Sequence, residues 1–211
     1  MEWKITIKYK HLSVFTLFCL AAIAYSQNSR INIYGAGAYN IPIGDFRGAD
    51  IYPGKGNANE GSSINLGAQI RIFEKYFIGI ESGYFKFGPR QKVANYNIYA
   101  YSVPFLLNVS YYLNQGDFRP YITAGAGVSR FALNVQTEFF EETSNKTVPL
   151  MALSAGMDMM IADHTAVFGF IQWSYAFSKD IDFKYEHFYT ITPEFNFSFI
   201  SFGLGIKYWI R

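Results

Sequence analysis

The chain has 211 residues, half of them hydrophobic and 19% aromatic, yet its mean hydropathy is only +0.05. A bundle of spanning helices would be far more apolar, whereas a sheet that averages a greasy face with a polar one gives this value. The formal charge of +2 comes from 18 basic and 16 acidic residues with no basic patch or interleaved Arg–aromatic stripe, so nothing points to a nucleic-acid surface.

Residues 1–26 read as a secretory signal. Lys4, Lys8 and Lys10 form a positive start, and Leu12 to Ile23 is an apolar run too short for an ordinary membrane span. Ala24-Tyr25-Ser26 then offers small residues at −3 and −1 before Gln27. Cys19, the only cysteine, lies inside the apolar run, and the bulky Phe18 before it argues against a lipid anchor. Residues 27–211 are therefore expected to form one mature domain of 185 residues, with no disulfide and with fifteen residues of each charge.

Beyond the signal, eight segments place large apolar residues at every second position. A period of two describes a strand with one apolar face. The segments are about 30–41, 62–73, 76–88, 96–113, 120–136, 148–161, 165–178 and 190–210. Each meets the roughly 9–11 residues that a transmembrane strand needs. Short connections at 74–75, 114–119 and 162–164 alternate with mostly longer ones at 42–61, 89–95, 137–147 and 179–189. That is the alternation of periplasmic turns and external loops. The fold class is thus all-β: an eight-stranded antiparallel up-and-down transmembrane barrel with both termini in the periplasm. Gly54 to Gly61 reads as a loop tip, because it lacks the Lys-Ser or Lys-Thr and the helix of a phosphate cradle.

Alternation also assigns faces. Ile64, Leu66, Ala68, Ile70 and Ile72 should meet lipid, with Ser63, Asn65, Gly67, Gln69 and Arg71 inside. Met151, Leu153, Ala155, Met157, Met159 and Ile161 face out in segment six, and Phe202, Leu204, Ile206, Tyr208 and Ile210 in segment eight. Segments one, three and five alternate less cleanly.

Arg71, Glu81, Asp158 and Lys207 are charges on the inward face of otherwise apolar strands, in the periplasmic half of the lumen. Two readings exist: a gate or proton path, or ion pairs that fill a narrow barrel. The second is preferred, since buried charges need partners whether or not they work. Tyr34, Tyr39, Tyr84, Tyr99, Tyr101, Phe131, Trp173, Tyr175 and Trp209 lie toward strand ends and read as interfacial girdles rather than sugar platforms. Catalytic groupings are poor. His164 sits in a turn beside Asp163 and Thr165. His187 could meet only Asp180 or Ser178 in a loop that fixes no geometry. No catalytic, metal or cofactor site is expected. Asp180, Asp182 and Glu186 read as a solvated acidic loop rather than a calcium site.

The runs Ser102-Val103-Pro104-Phe105-Leu106-Leu107 and Arg119-Pro120-Tyr121-Ile122-Thr123-Ala124-Gly125-Ala126-Gly127-Val128 resemble the small outer membrane protein beta-barrels, the porin-family relatives of OmpA- and OmpX-type eight-stranded barrels. Gly203 to Ile210 resembles the terminal strand signal read by the barrel-assembly machinery, although the chain ends Trp209-Ile210-Arg211 rather than on an aromatic residue. The resemblance implies a bare barrel without a periplasmic domain, exported to the outer membrane. Its implied partners are outer-membrane lipid and lipopolysaccharide, the assembly machinery, and an extracellular ligand or protein at the loops. The functional expectation is a non-enzymatic barrel with a structural or interaction role through its external loops. The alternatives are a narrow channel for small or apolar solutes and an outer-leaflet lipid-modifying enzyme.

Overall fold

A strand that alternates apolar and polar side chains can satisfy its backbone in lipid only by pairing on both sides. The computed structural model describes residues 31–47, 58–89, 96–137, 141–178, 182 and 196–210. The signal segment 1–26, residues 190–195 of the eighth segment, Asp180, Glu186 and His187 lie outside them. Eight strands run in chain order: β1 Ile31–Pro42, β2 Ala58–Arg71, β3 Tyr76–Pro89, β4 Tyr96–Tyr112, β5 Phe118–Thr137, β6 Glu141–Ala162, β7 Thr165–Ala176 and β8 Phe197–Ile210. Each is antiparallel to its neighbour, and β1 closes on β8 from Ile31↔Ile210 to Pro42↔Phe199. The sheet has no edge in this register.

The faces follow the alternation. Leu66, Phe105, Leu107, Leu153 and Leu204 are between 55% and 71% exposed and form the outer belt. Their neighbours Asn65, Ser102, Asn108 and Ser201 are buried inside. The unclear segments have a physical explanation. β3 and β5 carry Phe85, Phe87, Phe131 and Leu133 on the inner face, all buried, while Tyr84 and Val128 on the outer face are exposed. Both faces are apolar there, so a polarity count loses the period.

Two connections differ from expectation. Residues 141–147 are strand rather than loop, since Val135↔Glu142 through Arg130↔Thr147 continue the β5–β6 ladder. This part of the hairpin is polar on its outer face, so it carries no lipid-facing signal, yet Thr143, Thr147 and Val148 suit a pleated surface. At the start of β2, Ala58 to Gly61 belongs to the strand, with an irregular register between Ala58 and Gly61. In the connection after β1, Ile43 N still donates to the Ser198 carbonyl at 2.9 Å. Gly44 then takes φ +60°, a backbone turn that costs a glycine little, and a 3-10 turn over Gly44–Arg47 follows. That turn drives Phe46 into the barrel, where it is fully buried.

Inside, register and side-chain size are matched. Tyr34, Tyr121, Phe168 and Phe170 each stand directly opposite a glycine: Gly67, Gly156, Gly205 and Gly203 respectively. A Cβ at any of these glycines would fall against the facing ring. Bare backbone on one strand therefore provides the space that a large ring on the next one fills.

The outward placement of Leu107 and Leu153 gives the first prediction. Leu107→Arg or Leu153→Arg should each lower folding stability by about 2–4 kcal/mol, as charges near the bilayer midplane do. Urea titration of the folded barrel in lipid vesicles measures this, and no change at both positions would invert the face assignment.

Candidate functional site in the barrel lumen

Eight strands leave an interior only wide enough for side chains. Here that space is filled in three layers. At the end bearing the short turns, Phe77, Tyr112, Tyr121 and Trp209 form a buried aromatic cluster with Met160 packed on it. Phe77 meets Tyr112 at 4.9 Å and Trp209 at 5.5 Å between ring centroids. At the opposite end, Phe46 sits among Phe87, Phe131 and Phe197 at 5.0–6.0 Å. Phe131 and Phe197 stack at 3.7 Å, nearly parallel. Phe85, Leu106, Leu133, Val148, Leu150 and Phe199 also belong to that cluster.

Three of the charges, Glu81, Asp158 and Lys207, lie between these layers and toward the short-turn end. Lys207 Nζ is 2.9 Å from both carboxylate oxygens of Asp158, and the pair is buried. Tyr112 joins it: its hydroxyl accepts from Lys207 Nζ at 2.8 Å and donates to Asp158 Oδ2 at 3.1 Å. Five rings surround the ammonium, those of Tyr34, Tyr112, Tyr121, Phe168 and Trp209, at 4.7–5.9 Å. Aromatic faces attract a cation, so this cage supplements the carboxylate where water is scarce. The arrangement depends on strand order, because Lys207 is on β8, Asp158 on β6 and Tyr112 on β4.

Glu81 takes a different partner. It accepts a hydrogen bond from the Tyr34 hydroxyl at 2.7 Å. It lines a chamber of about 30 Å³ together with Asn65, Gln69, Thr123, Ser154, Gln172 and Lys207. A space of that size has room for about one or two waters. Hydrogen bonds tie its wall together, from Asn32 through Gln69 and Ser110 to Thr123. Arg71 stands apart from these charges. Glu81 pairs in register with Gly67, while Arg71 pairs with Phe77, nearer the turn. Arg71 lines the mouth of the lumen with Glu74, Phe77, Arg119 and Trp209. The four predicted lumenal charges thus divide into an ion pair, a tyrosine-bonded carboxylate beside it, and an arginine at the rim.

Three aromatics expected in the girdles are lumenal instead: Tyr34 is turned to Glu81, and Phe131 and Trp209 are buried in the two clusters. Their nearness to strand ends suggests an interface, but their parity in the register turns them inward. Tyr39, Tyr84 and Trp173 do face out. Phe46 escapes sequence reasoning altogether, since a single phenylalanine in a Gly- and Asp-rich connection carries no period. Its one local signal is the preceding glycine at φ +60°.

The catalytic candidates have structural contacts. Ser178 Oγ accepts from Phe197 N at 3.1 Å, and Ser178 N donates to Asn196 Oδ1 at 3.0 Å, which joins the ends of β7 and β8. His164 Nδ1 lies 3.1 Å from the Trp209 carbonyl at the other end. Among the described residues no group of three or more His, Cys, Asp or Glu could hold a metal ion.

A closed eight-stranded antiparallel barrel with a lipid-type belt and a packed lumen defines a small outer-membrane barrel. The family model of the outer membrane protein beta-barrel domain matches residues 12–208, and the chain belongs to that family. No curated protein matches it in sequence. Among solved structures it resembles Neisserial surface protein A at 12% identity, covering 85% of this chain and 96% of that one, with a TM-score of 0.51. It also resembles a major outer membrane protein from Thermus thermophilus at 11% identity, covering 87% of this chain and 100% of that one, with a TM-score of 0.53. These likenesses concern the fold.

Two predictions come from the lumen. Lys207→Met leaves Asp158 buried alone, and should destabilise the barrel by about 3–5 kcal/mol. Adding Asp158→Leu should recover part of that loss, so the double variant is less destabilised than the sum of the singles. A denaturation cycle in vesicles reads the coupling, and strict additivity would remove the pair from the account. Gly67→Ala, in turn, pushes the Tyr34 ring away from Glu81, at a cost of about 1–3 kcal/mol for overpacking. In a Tyr34→Phe background, which already lacks the bond to Glu81, Gly67→Ala should add about the same cost if the clash is with the ring. With Tyr34→Ala, most of the added cost should disappear.

Proposed function

We propose that this protein is a non-conducting, non-enzymatic outer-membrane barrel that acts as a membrane-anchored scaffold for interactions at its external end. The packed lumen carries this reading. Two aromatic clusters close the two ends, and the chamber lined by Glu81 and Lys207 between them holds about one or two waters. A solute would have to displace Phe46 and its neighbours, then the Lys207–Asp158 pair, then the Tyr112–Trp209 cluster. Wide aqueous pores are built instead from about 16–18 strands.

The external end supports the interaction part. β5 and β6 have 20 and 22 residues, about twice what a span requires. Their hairpin therefore projects well beyond the belt. Its outer face there is polar: Asn134 Nδ2 donates to Glu141 Oε1 and Thr143 Oγ1, both at 2.8 Å, and Arg130 Nε donates to Asn145 Oδ1 at 3.2 Å. A stiff ladder with polar side chains presents a fixed surface, as recognition from a rigid scaffold requires. The signal at residues 1–26 would deliver the chain to the assembly machinery, and the hydrophobic belt would hold it among outer-membrane lipids.

Conductance tests the reading. In planar bilayers the folded wild-type protein should show no unitary current steps. Phe46→Ala, which opens only the external layer, should remain silent because the ion pair and the second cluster still close the path. Unitary steps in the wild type, abolished by filling the chamber with Ser154→Phe, would make it a narrow channel instead.

A further inference from the structure

A buried donor without an acceptor is rare, because it gives up water and gains no bond in return. Trp209 on β8 carries one. The residue is 4% exposed, and its indole N–H has no partner. Trp209 lines the space at the short-turn mouth of the lumen and not the chamber beside Glu81. That mouth encloses about 20 Å³. It has room for the oxygen atoms of one small polar group, not for a whole solute.

Arg119 on β5 brings further donors to the same mouth. Its Nε donates to the Gly116 carbonyl at 2.8 Å, and its Cζ lies 5.2 Å from the centre of the Trp209 ring. The side chain is thus anchored at the turn and laid over the indole. Its two Nη groups bond nothing among the described residues. The nearby acids do not take them. Asp158, opposite Arg119 in the β5–β6 register, is held by Lys207 and Tyr112. Glu74 lines the mouth, and its backbone carbonyl accepts from the Gln115 side chain. Its carboxylate is in no ion pair among the described residues, where the pairs are Arg47–Glu60 and Lys207–Asp158. Arg71 also lines the mouth and has a contact of its own, so the available donors are those of Arg119 and Trp209.

We infer that Arg119 and Trp209 form a carboxylate-binding site at the short-turn mouth of the barrel. The guanidinium fork suits two oxygens side by side, and the indole N–H supplies a third bond to the same group. Glu74 at the rim selects a singly charged carboxylate over a phosphate dianion, which it would repel about twice as strongly. The ligand is a small free acid or the C-terminus of a peptide, with only its carboxylate inside the mouth. The site lies at the opposite end from the β5–β6 hairpin, so its failure leaves the external scaffold reading untouched.

The test follows the indole N–H resonances of the full folded chain in detergent, isotope-labelled at tryptophan, while sodium acetate is added. The Trp209 resonance is assigned by its loss in Trp209→Phe. Acetate should move it downfield to saturation, as a new hydrogen bond does. The Trp173 resonance should stay in place, because that indole already donates to Ser198 Oγ at 3.1 Å. Neutral acetamide should move neither. Arg119→Gln should weaken acetate binding at least about tenfold, the loss expected of a charge-assisted bond. Glu74→Gln should tighten it. Arg119→Lys keeps a charge without the fork and should also bind more weakly, which decides the matter if Arg119→Gln does not fold. Folding of every variant is checked by heat-dependent gel migration. Triglycine with a free C-terminus, compared with its amide, separates the two sources. Tighter binding than acetate points to a peptide terminus and weaker binding to a small acid, and both support the site. A Trp209 resonance that acetate does not move, an equal response to acetamide, or undiminished binding by Arg119→Gln would overturn it. Inorganic phosphate binding more tightly than acetate would overturn the carboxylate assignment.

Discussion

Lipid offers no hydrogen-bond partner to a backbone, and the rest of this structure follows from that constraint. The sheet must close, and it does so between Ile31–Pro42 and Phe199–Ile210. Closing eight strands leaves a lumen of fixed, small width. Whatever faces it must fill it, and must satisfy its own polar groups in doing so. The pairing of large rings with opposed glycines, the two aromatic clusters and the buried Lys207–Asp158 pair are all answers to that one demand.

The polar part of the lumen is best understood as a set of partnerships across strands distant in sequence. Lys207 and Asp158 are joined by Tyr112, and Glu81 by Tyr34. Such a network contributes little net stability over an apolar filling, yet a broken one is costly. It therefore acts chiefly on register, since a one-residue slip of β8 would carry Lys207 to the lipid face. The Phe46 turn acts similarly on the external end. It ties the first connection to residues of β3, β5 and β8 at once.

A filled interior is the reason the proposed function is placed on the outer surfaces. What remains available is the belt, its two rims and the projecting β5–β6 hairpin. In the proposed function, the rigid ladder serves recognition and the filled lumen takes no part in transport.

Much of the fold was legible in the chain because lipid and lumen impose opposite polarity on successive residues. Segments two, six and eight show it cleanly, and their faces follow residue by residue. Segments three and five do not, because Phe85, Phe87, Phe131 and Leu133 fill the lumen with apolar side chains and erase the contrast. The extension of β6 to Glu141 was hidden for the reverse reason, as it has no lipid face. Charge types and their inward parity were readable at Arg71, Glu81, Asp158 and Lys207. Their partners were not, because pairing depends on the stagger between strands, which no single strand encodes. The entry of Phe46 into the lumen was equally unreadable, for it needs a glycine turn and a gap among three other strands. The sequence by itself determined a closed barrel, its lipid face and its inward charges, through a period of two. Only the tertiary structure decided which charges meet, which rings lie over which glycines and what seals the lumen, because those contacts join residues that closure alone brings together.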